Sequence, residues 1–414
     1  MQLRPHQQRA FAAMQSNNAG QIIVPTGGGK TYIMIADTYK HLRDCGPQTI
    51  VVVAPRILLA NQLCEEFMEH IHHRDVHVCH AHSGETHHFS TTKADKIALF
   101  NNTARTAGEN CIIFTTYHSL HRVVESGINI DTIYFDEAHN GCGKHFFISV
   151  FATAQYAKRR YYFTATPKTG RGVSVARGMN NTDVYGGVLC NVPAKELIEA
   201  GAIVPPRVVP FETNRTRNKV NAHEVDADNL KDMFEQLDVF QNPKVLVAAP
   251  SSKVLGNMLG HTDILEYFYK KGYDVMHITS KFGAIINDKK VGREEFFTTL
   301  QSWGADDTKK FVIFHYSILS EGINVPGLTH TILLRNLPIV EMAQTIGRVI
   351  RVHKDDRAAV AEGRIPAGAF HLYKKQEGVV TMPTGYKMGN AIAARLQNVV
   401  NQIFLEGIPP LAYC

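Results

Sequence analysis

The chain has 414 residues, room for two ordinary domains and a short third piece. Its 44% hydrophobic content and 17 prolines exclude a disordered chain, and its net charge of +6 favours an anionic partner without requiring one. No run of about twenty apolar residues occurs, so no membrane-spanning helix is expected.

The opening stretch, MQLRPHQQRAFAAMQ, has no long apolar core and predicts no signal peptide. Seven cysteines are scattered without a Cys-x-x-Cys pair, which predicts reduced thiols and a cytoplasmic location. β-rich runs follow at 21–24 (QIIV), 49–54 (TIVVVA), 111–116 (CIIFTT), 132–137 (TIYFDE) and 159–166 (RRYYFTAT), with helical patterns at 31–43, 57–71 and 145–157. Near-continuous apolar strands alternating with helices predict an α/β fold, a parallel sheet covered on both faces. Prolines in VPPRVVPFETN, 204–214, mark a domain joint. A second alternating series lies at 244–249, 275–279, 309–315 and 330–335. The reading is therefore two α/β domains, 1–208 and 209–380, and a helical tail over 381–414, where GNAIAARLQNVVNQIFLEG is apolar at helical spacing.

The sharpest signal is IIVPTGGGKTYIM, 22–34. A β-branched strand runs into three glycines and then a helix that opens on a lysine and a threonine. Glycines there let backbone N–H groups turn inward and cradle phosphate oxygens. Thr26, Gly27, Gly28 and Gly29 form the cradle, Lys30 supplies a mobile cation, and Thr31 offers a hydroxyl to Mg²⁺. Val24 stands where the strict glycine-lysine loop has its first glycine, and an ordinary glycine-rich turn is the alternative. IYFDEAH, 133–139, answers that alternative. A strand ending in two carboxylates lets Asp136 hold Mg²⁺ and lets Glu137 orient or deprotonate an attacking water.

With PTGGGKT ahead of it, DEAH resembles the signature of superfamily 2 helicases and translocases, and other stretches fall in that family's order. LRPHQ (3–7) resembles the adenine-recognising element, with Gln7 as base reader and Arg4 beside it. VVVAPRILLANQ (51–62) and FTTYHSL (114–120) resemble strand-gripping motifs, which implies DNA contacts at Pro55, Arg56, Thr115, Thr116 and His118. TATP (164–167) resembles the coupling motif, implying that Thr164 and Thr166, with His139, link hydrolysis to domain movement. SEGINVP (320–326) and QTIGRVIR (344–351) resemble the fifth and sixth motifs. They imply nucleotide contacts at Gly322 and Asn324 and place Gln344, Arg348 and Arg351 toward the nucleotide, the arginines as fingers.

The resemblance covers about residues 1–380 and is nearest to phage branched-DNA helicases of the UvsW type. HYSILSEGINVPGL, AQTIGRVIRVHK and VYGGVLCNVPAKELIEAGAIVPPRV carry it. It implies two tandem RecA-like domains, ATP and Mg²⁺ as cofactors, and an ATP-dependent helicase or translocase on branched or forked DNA, in replication, recombination or repair. Single-strand-binding or recombination proteins are the implied partners, and the enzyme is expected to act as a monomer on DNA. The chain starts directly at the adenine element, so fork binding is expected to come from the core or the tail. A restriction-type motor, an RNA helicase and a strand-annealing binder are the competing readings.

Further DNA contacts are expected at Ser251, Ser252, Ser280 and Ser320, each just beyond a strand end. Phe282 and Tyr316 offer stacking faces, with core packing as the alternative. Lys374, Lys375, Lys387 and Arg395 form either a grip on a second strand or a solvated face. Histidines crowd 70–88, but DVHVCHAHSG alternates as a strand does, sending neighbours to opposite faces. Surface and partly buried histidines are expected there rather than a zinc site.

Overall fold

The computed structural model describes the chain except residues 1, 72–75, 85, 238–240, 280–281, 317–324, 409 and 411. It divides into two compact units, 1–193 with 409–414, and 194–408.

The first unit holds strands β1 Ala19–Ile23, β2 Thr49–Ala54, β3 Val76–Ala81, β4 Phe89–Ser90, β5 Asn110–Thr116, β6 Thr132–Phe135, β7 Arg159–Thr164, β8 Lys168–Thr169 and β9 Val188–Asn191. Eight of them form one sheet in the order β4-β3-β5-β2-β6-β7-β1-β9, every pairing parallel. β2 is buried at all six positions, as its unbroken apolar run requires when helices cover both faces. Side chains alternate across the sheet. Phe135 and Tyr162 stack on one face at 4.8 Å, while Tyr134 and Tyr161 stack on the other at 6.2 Å. Both tyrosines of β7 find acceptors for their hydroxyls, Tyr162 at Val184 O and Tyr161 at Met14 O.

A buried ion pair ties this unit's helices to the sheet. Asp37, fully buried in the helix Lys30–Asp44, accepts from Arg159 Nη2 at 2.8 Å and Nη1 at 3.0 Å. Tyr134 Oη donates to the same carboxylate at 2.6 Å and Gln15 Nε2 at 2.7 Å. Bidentate geometry with added donors is what makes a buried pair tolerable.

The second unit holds β10 Pro206–Glu212, β11 Lys244–Ala248, β12 Asp274–Thr279, β13 Gly283–Ile286, β14 Lys289–Val291, β15 Phe311–His315, β16 His330–Leu333 and β17 Gly378–Thr384. Their order is β10-β17-β16-β11-β15-β12-β13-β14, parallel except for the antiparallel β12-β13-β14 edge. Phe234, Phe268, Tyr273 and Phe314 pack together in its core.

Two boundaries differ from the sequence reading. The first unit ends at 193 rather than 208, because Val204 N donates to Ile350 O and β10 pairs with β17 along its whole length. The segment from 381 is not a separate piece. Its first residues finish β17, the helix Lys387–Val399 packs on that strand, and a π-helical turn Val400–Leu405 follows. The last strand, β18 Ala412–Tyr413, pairs with β8 in the first unit.

Candidate nucleotide site and nucleic-acid interface

β7 lies between β6 and β1, so the carboxyl ends of the strands leading into TGGGK, DEAH and TATP lie side by side. Ligands of open parallel sheets bind at such ends. Gly27 and Gly29 have φ of 87° and 77°, and Gly28 N closes the turn on Pro25 O at 3.0 Å. Gly29 caps the helix Lys30–Asp44 in the left-handed region, where a Cβ would also stand 2.4 Å from Gln7 Nε2. No acidic side chain occupies that helix's first turn, so its positive end faces the loop uncompensated.

Lys30 Nζ reaches Glu137 Oε1 at 3.1 Å. Glu137 sits at φ 45°, a left-handed backbone uncommon for a residue with a Cβ, and such strain concentrates at functional sites. Asp136 is buried, its amide fixed by Val53 O at 2.8 Å and its carbonyl accepting from Tyr117 Oη at 2.9 Å. Burial, then the neighbouring Glu137, pushes the Asp136 carboxyl up to about 7, while Lys30 opposes them. A divalent cation would reverse that balance, so the carboxylate and the Thr31 hydroxyl suit a hard oxygen-seeking metal.

The three expected coupling residues meet. His139 Nδ1 is 3.0 Å from Thr164 Oγ1 and 3.3 Å from Thr166 Oγ1, and Thr166 N donates to Thr164 Oγ1 at 3.0 Å. Burial, more than any neighbouring charge, lowers the His139 ring to about 4, so it is neutral and exchanges single hydrogen bonds with these hydroxyls. Glu137 Oε2 stands 3.7 Å away. His139 and the TATP hydroxyls are thus one hydrogen-bonded cluster, with the Glu137 carboxylate beside it.

At the expected adenine element, Gln7 Nε2 donates to Gly28 O at 3.3 Å and Gly29 O at 3.2 Å, while Oε1 accepts from Arg4 N at 2.9 Å. Its carboxamide here holds the glycine loop. His6, which sequence reasoning passed over, does the same, with Nε2 2.8 Å from Gly28 O. Tyr117 and Asn140 were also missed. The first supports Asp136, and Asn140 Nδ2 stands 3.4 Å from His139 Nε2.

In the second unit, Gln344 and Arg348 lie four residues apart on one face of the helix Ile339–Val349, both buried. Gln344 Nε2 has no hydrogen-bond partner among the described residues. Arg351, half-buried beyond the helix end, bridges its backbone to Ile203, and its carbonyl accepts from Lys375 Nζ at 2.8 Å. His315 ends β15 wholly buried; burial first, then Arg348 and Arg335, lower its ring to about 3.

Several expected DNA contacts need correction. Thr115 is fully buried, its hydroxyl donating to Ala81 O at 2.8 Å inside the sheet, so no phosphate can meet it here. Thr116 is also buried and its hydroxyl accepts from Ser119 N at 3.3 Å. Ser251 caps the helix Ser252–His261 by accepting from Val254 N at 3.1 Å. Lys375 is buried with Nζ on Leu328 O at 2.6 Å, and Lys374 pairs with Asp307 at 2.6 Å and Asp355 at 3.2 Å. Lys375 is therefore structural, while Lys374 is an exposed, ion-paired side chain, as the solvated-face reading expects. Arg395 donates to Leu337 O at 3.0 Å, while Lys387 is exposed. Tyr316 carries Arg335 over its ring at 4.6 Å. Phe282 is partly exposed, its amide donating to Thr279 Oγ1 at 2.9 Å. Pro55 is buried ahead of exposed Arg56; His118 is exposed with its ring edge on Phe146, and Ser252 is half-buried. Ser280, Ser320, Gly322 and Asn324 lie outside the described residues, as do His72 and His73.

The histidine-rich strand is a packed pair. His82 Nδ1 accepts from Gly84 N at 3.2 Å, so His82 Nε2 carries the proton and donates to His80 Nδ1 at 2.9 Å. Both rings are buried.

Residues 1–169 match the family model described as "Type III restriction enzyme, res subunit". No curated protein matches the chain. Among solved structures, the Type ISP restriction-modification enzyme LlaBIII bound to DNA aligns with a TM-score of 0.67 at 16% identity, over 100% of this chain and 31% of that one. A fragment of an HsdR subunit of a type I restriction enzyme from Vibrio vulnificus YJ016 aligns at 0.62 and 15%, over 99% of this chain and 68% of that one. Dbp5 from S. cerevisiae bound to RNA and ADP BeF3 aligns at 0.61 and 15%, over 100% and 90%. The fold, two RecA-like parallel sheets flanked by helices, matches that of these helicase-type structures. This chain spans under a third of the LlaBIII structure.

Proposed function

We propose that this chain is an ATP-dependent motor that moves on DNA. One observation carries the reading: Lys30, Glu137, His139, Thr164 and Thr166 form a contiguous cluster at adjoining strand ends, beside a glycine loop built for phosphate. In this proposal the loop amides hold the triphosphate, and Lys30 exchanges Glu137 for the terminal phosphates. Thr31 and Asp136 would hold Mg²⁺, which neutralises phosphate charge when bound. Glu137 then orients the attacking water, and His139 passes the change at Glu137 to the TATP hydroxyls. Gln344, Arg348 and Arg351 are assigned to the developing charge on the transferred group. Arg56, His118 and Ser252 remain the DNA contacts we propose, from sequence-independent grip on phosphates.

The substrate we propose is branched or forked DNA, on the resemblance of the motifs around 315–328 and 343–354. A second reading, the motor of a restriction-type system running on duplex DNA, is favoured by the family match over residues 1–169. Labelled forked DNA, junction DNA, linear duplex bearing a triplex-forming third strand, and forked RNA separate them. Strand separation on forks with ATP supports the first; third-strand displacement without strand separation supports the second. Activity on RNA alone would overturn both.

A further inference from the structure

β8 begins directly after Pro167 of TATP, and β18 lies parallel to it, Ala412 opposite Lys168 and Tyr413 opposite Thr169. The amide of Cys414 continues the ladder by donating to Thr169 O at 3.0 Å. The Arg171 guanidinium covers the Tyr413 ring at 3.7 Å and also donates to its hydroxyl. From the opposite side comes Cys142, the last residue of the 3-10 turn Ala138–Cys142 that carries His139. Its thiol lies 3.9 Å from Lys168 O and receives the Tyr185 hydroxyl at 3.6 Å. Cys414 packs half-buried against the apolar cluster that contains Cys142, and the two thiols interact directly. Both sulfurs therefore converge on one two-residue strand, at the junction of DEAH and TATP.

We infer that Cys142 and Cys414 are a reversible disulfide site that fastens the Ala412–Cys414 segment beside the coupling loop and arrests the motor. The arrest rests on the function proposed above; the thiol chemistry does not. The chain passes from the second unit back to the first between 408 and 409, a crossing in addition to the one at 193–194, and β18 anchors the returning segment within the first unit. A two-residue ladder parts easily, and a covalent bond does not. Motors of this kind need their domains to move during turnover.

The two thiols have unequal roles. The Cys142 thiol, and then nearby Arg177 and Lys168, bring Cys414 down to about 7 against the effect of burial, so it is the thiol of the pair that ionises first. The hydrogen bond to Cys414 and then burial hold Cys142 up as the thiol. With a peroxide as oxidant, the Cys414 thiolate attacks one oxygen, the O–O bond breaks, and sulfenic acid and hydroxide result. The Cys142 sulfur then attacks the sulfenic sulfur, the S–O bond breaks, and water leaves with the thiol proton. A dithiol reductant reverses the sequence by exchange. Cys79 and Cys111, also near one another, are fully buried in the sheet and out of an oxidant's reach.

The reduced 414-residue chain is treated with hydrogen peroxide, then analysed by peptide mapping, thiol titration and DNA-stimulated ATP hydrolysis. Two of the seven thiols should disappear, in a peptide joining Cys142 to Cys414, and the ATPase should fall about tenfold and recover with dithiothreitol. Cys414→Ser and, separately, Cys142→Ala should hydrolyse ATP normally and form no such disulfide with peroxide, Cys142→Ala being oxidised only to sulfenic acid at Cys414 without loss of rate. Sulfinic acid at Cys414 with Cys142 still free would overturn the site. A disulfide that forms without slowing hydrolysis would overturn the arrest. Reduced protein with no ATPase under any condition would instead overturn the motor reading, while the peptide map still decides the thiol pair.

Discussion

Alanine in place of Arg351 is expected to lower turnover of nucleic-acid-stimulated ATP hydrolysis about 10³-fold and to leave nucleotide affinity nearly unchanged. A guanidinium that acts on charge developing during phosphoryl transfer is missed in the transition state, not in the ground state. Its backbone is held, bridging Ile203 and receiving Lys375 Nζ at the carbonyl. Lys30→Ala should behave oppositely, weakening nucleotide binding, because a lysine at the glycine loop meets phosphate in the ground state as well. Titration with a fluorescent nucleotide alongside steady-state rates checks both. Equal loss of binding in the two variants would contradict the separate roles.

Asp37→Ala should destabilise the first unit by about 3–5 kcal/mol, since it leaves a buried guanidinium without its carboxylate. Four donors from three elements converge on that side chain: two from Arg159 and one each from Tyr134 and Gln15. Urea unfolding followed by circular dichroism measures the loss. The double variant Asp37→Leu with Arg159→Met should recover much of it, because removing both charges removes the uncompensated one. A loss under about 1 kcal/mol in the single variant would show that water reaches Arg159 after the carboxylate is gone.

Sequence patterning made the central strands legible because their burial on both faces leaves nearly continuous apolar runs, as in Thr49–Ala54 and Phe311–His315. Pro206–Glu212 and Gly378–Thr384 were hidden. Prolines within the first suggested a joint, yet it is an edge strand, where a missing N–H is tolerated. Motif spacing brought out the cluster of Lys30, Glu137, His139, Thr164 and Thr166 because each member ends a strand or opens a turn. The nucleic-acid face was read less well. A hydroxyl at a strand end looks the same in sequence whether it meets a phosphate or, like Thr115, a carbonyl 34 residues away. Lys375 looked like surface charge for the same reason; its partners, Leu328 O and Arg351 O, come from distant turns.

The most direct test is the rate of ATP hydrolysis by the purified chain with and without DNA, for the native protein and for Glu137→Gln. The motor account predicts that DNA raises the native rate and that the variant binds ATP without splitting it. Native protein whose hydrolysis no nucleic acid changes, or a variant as fast as the native chain, would contradict it.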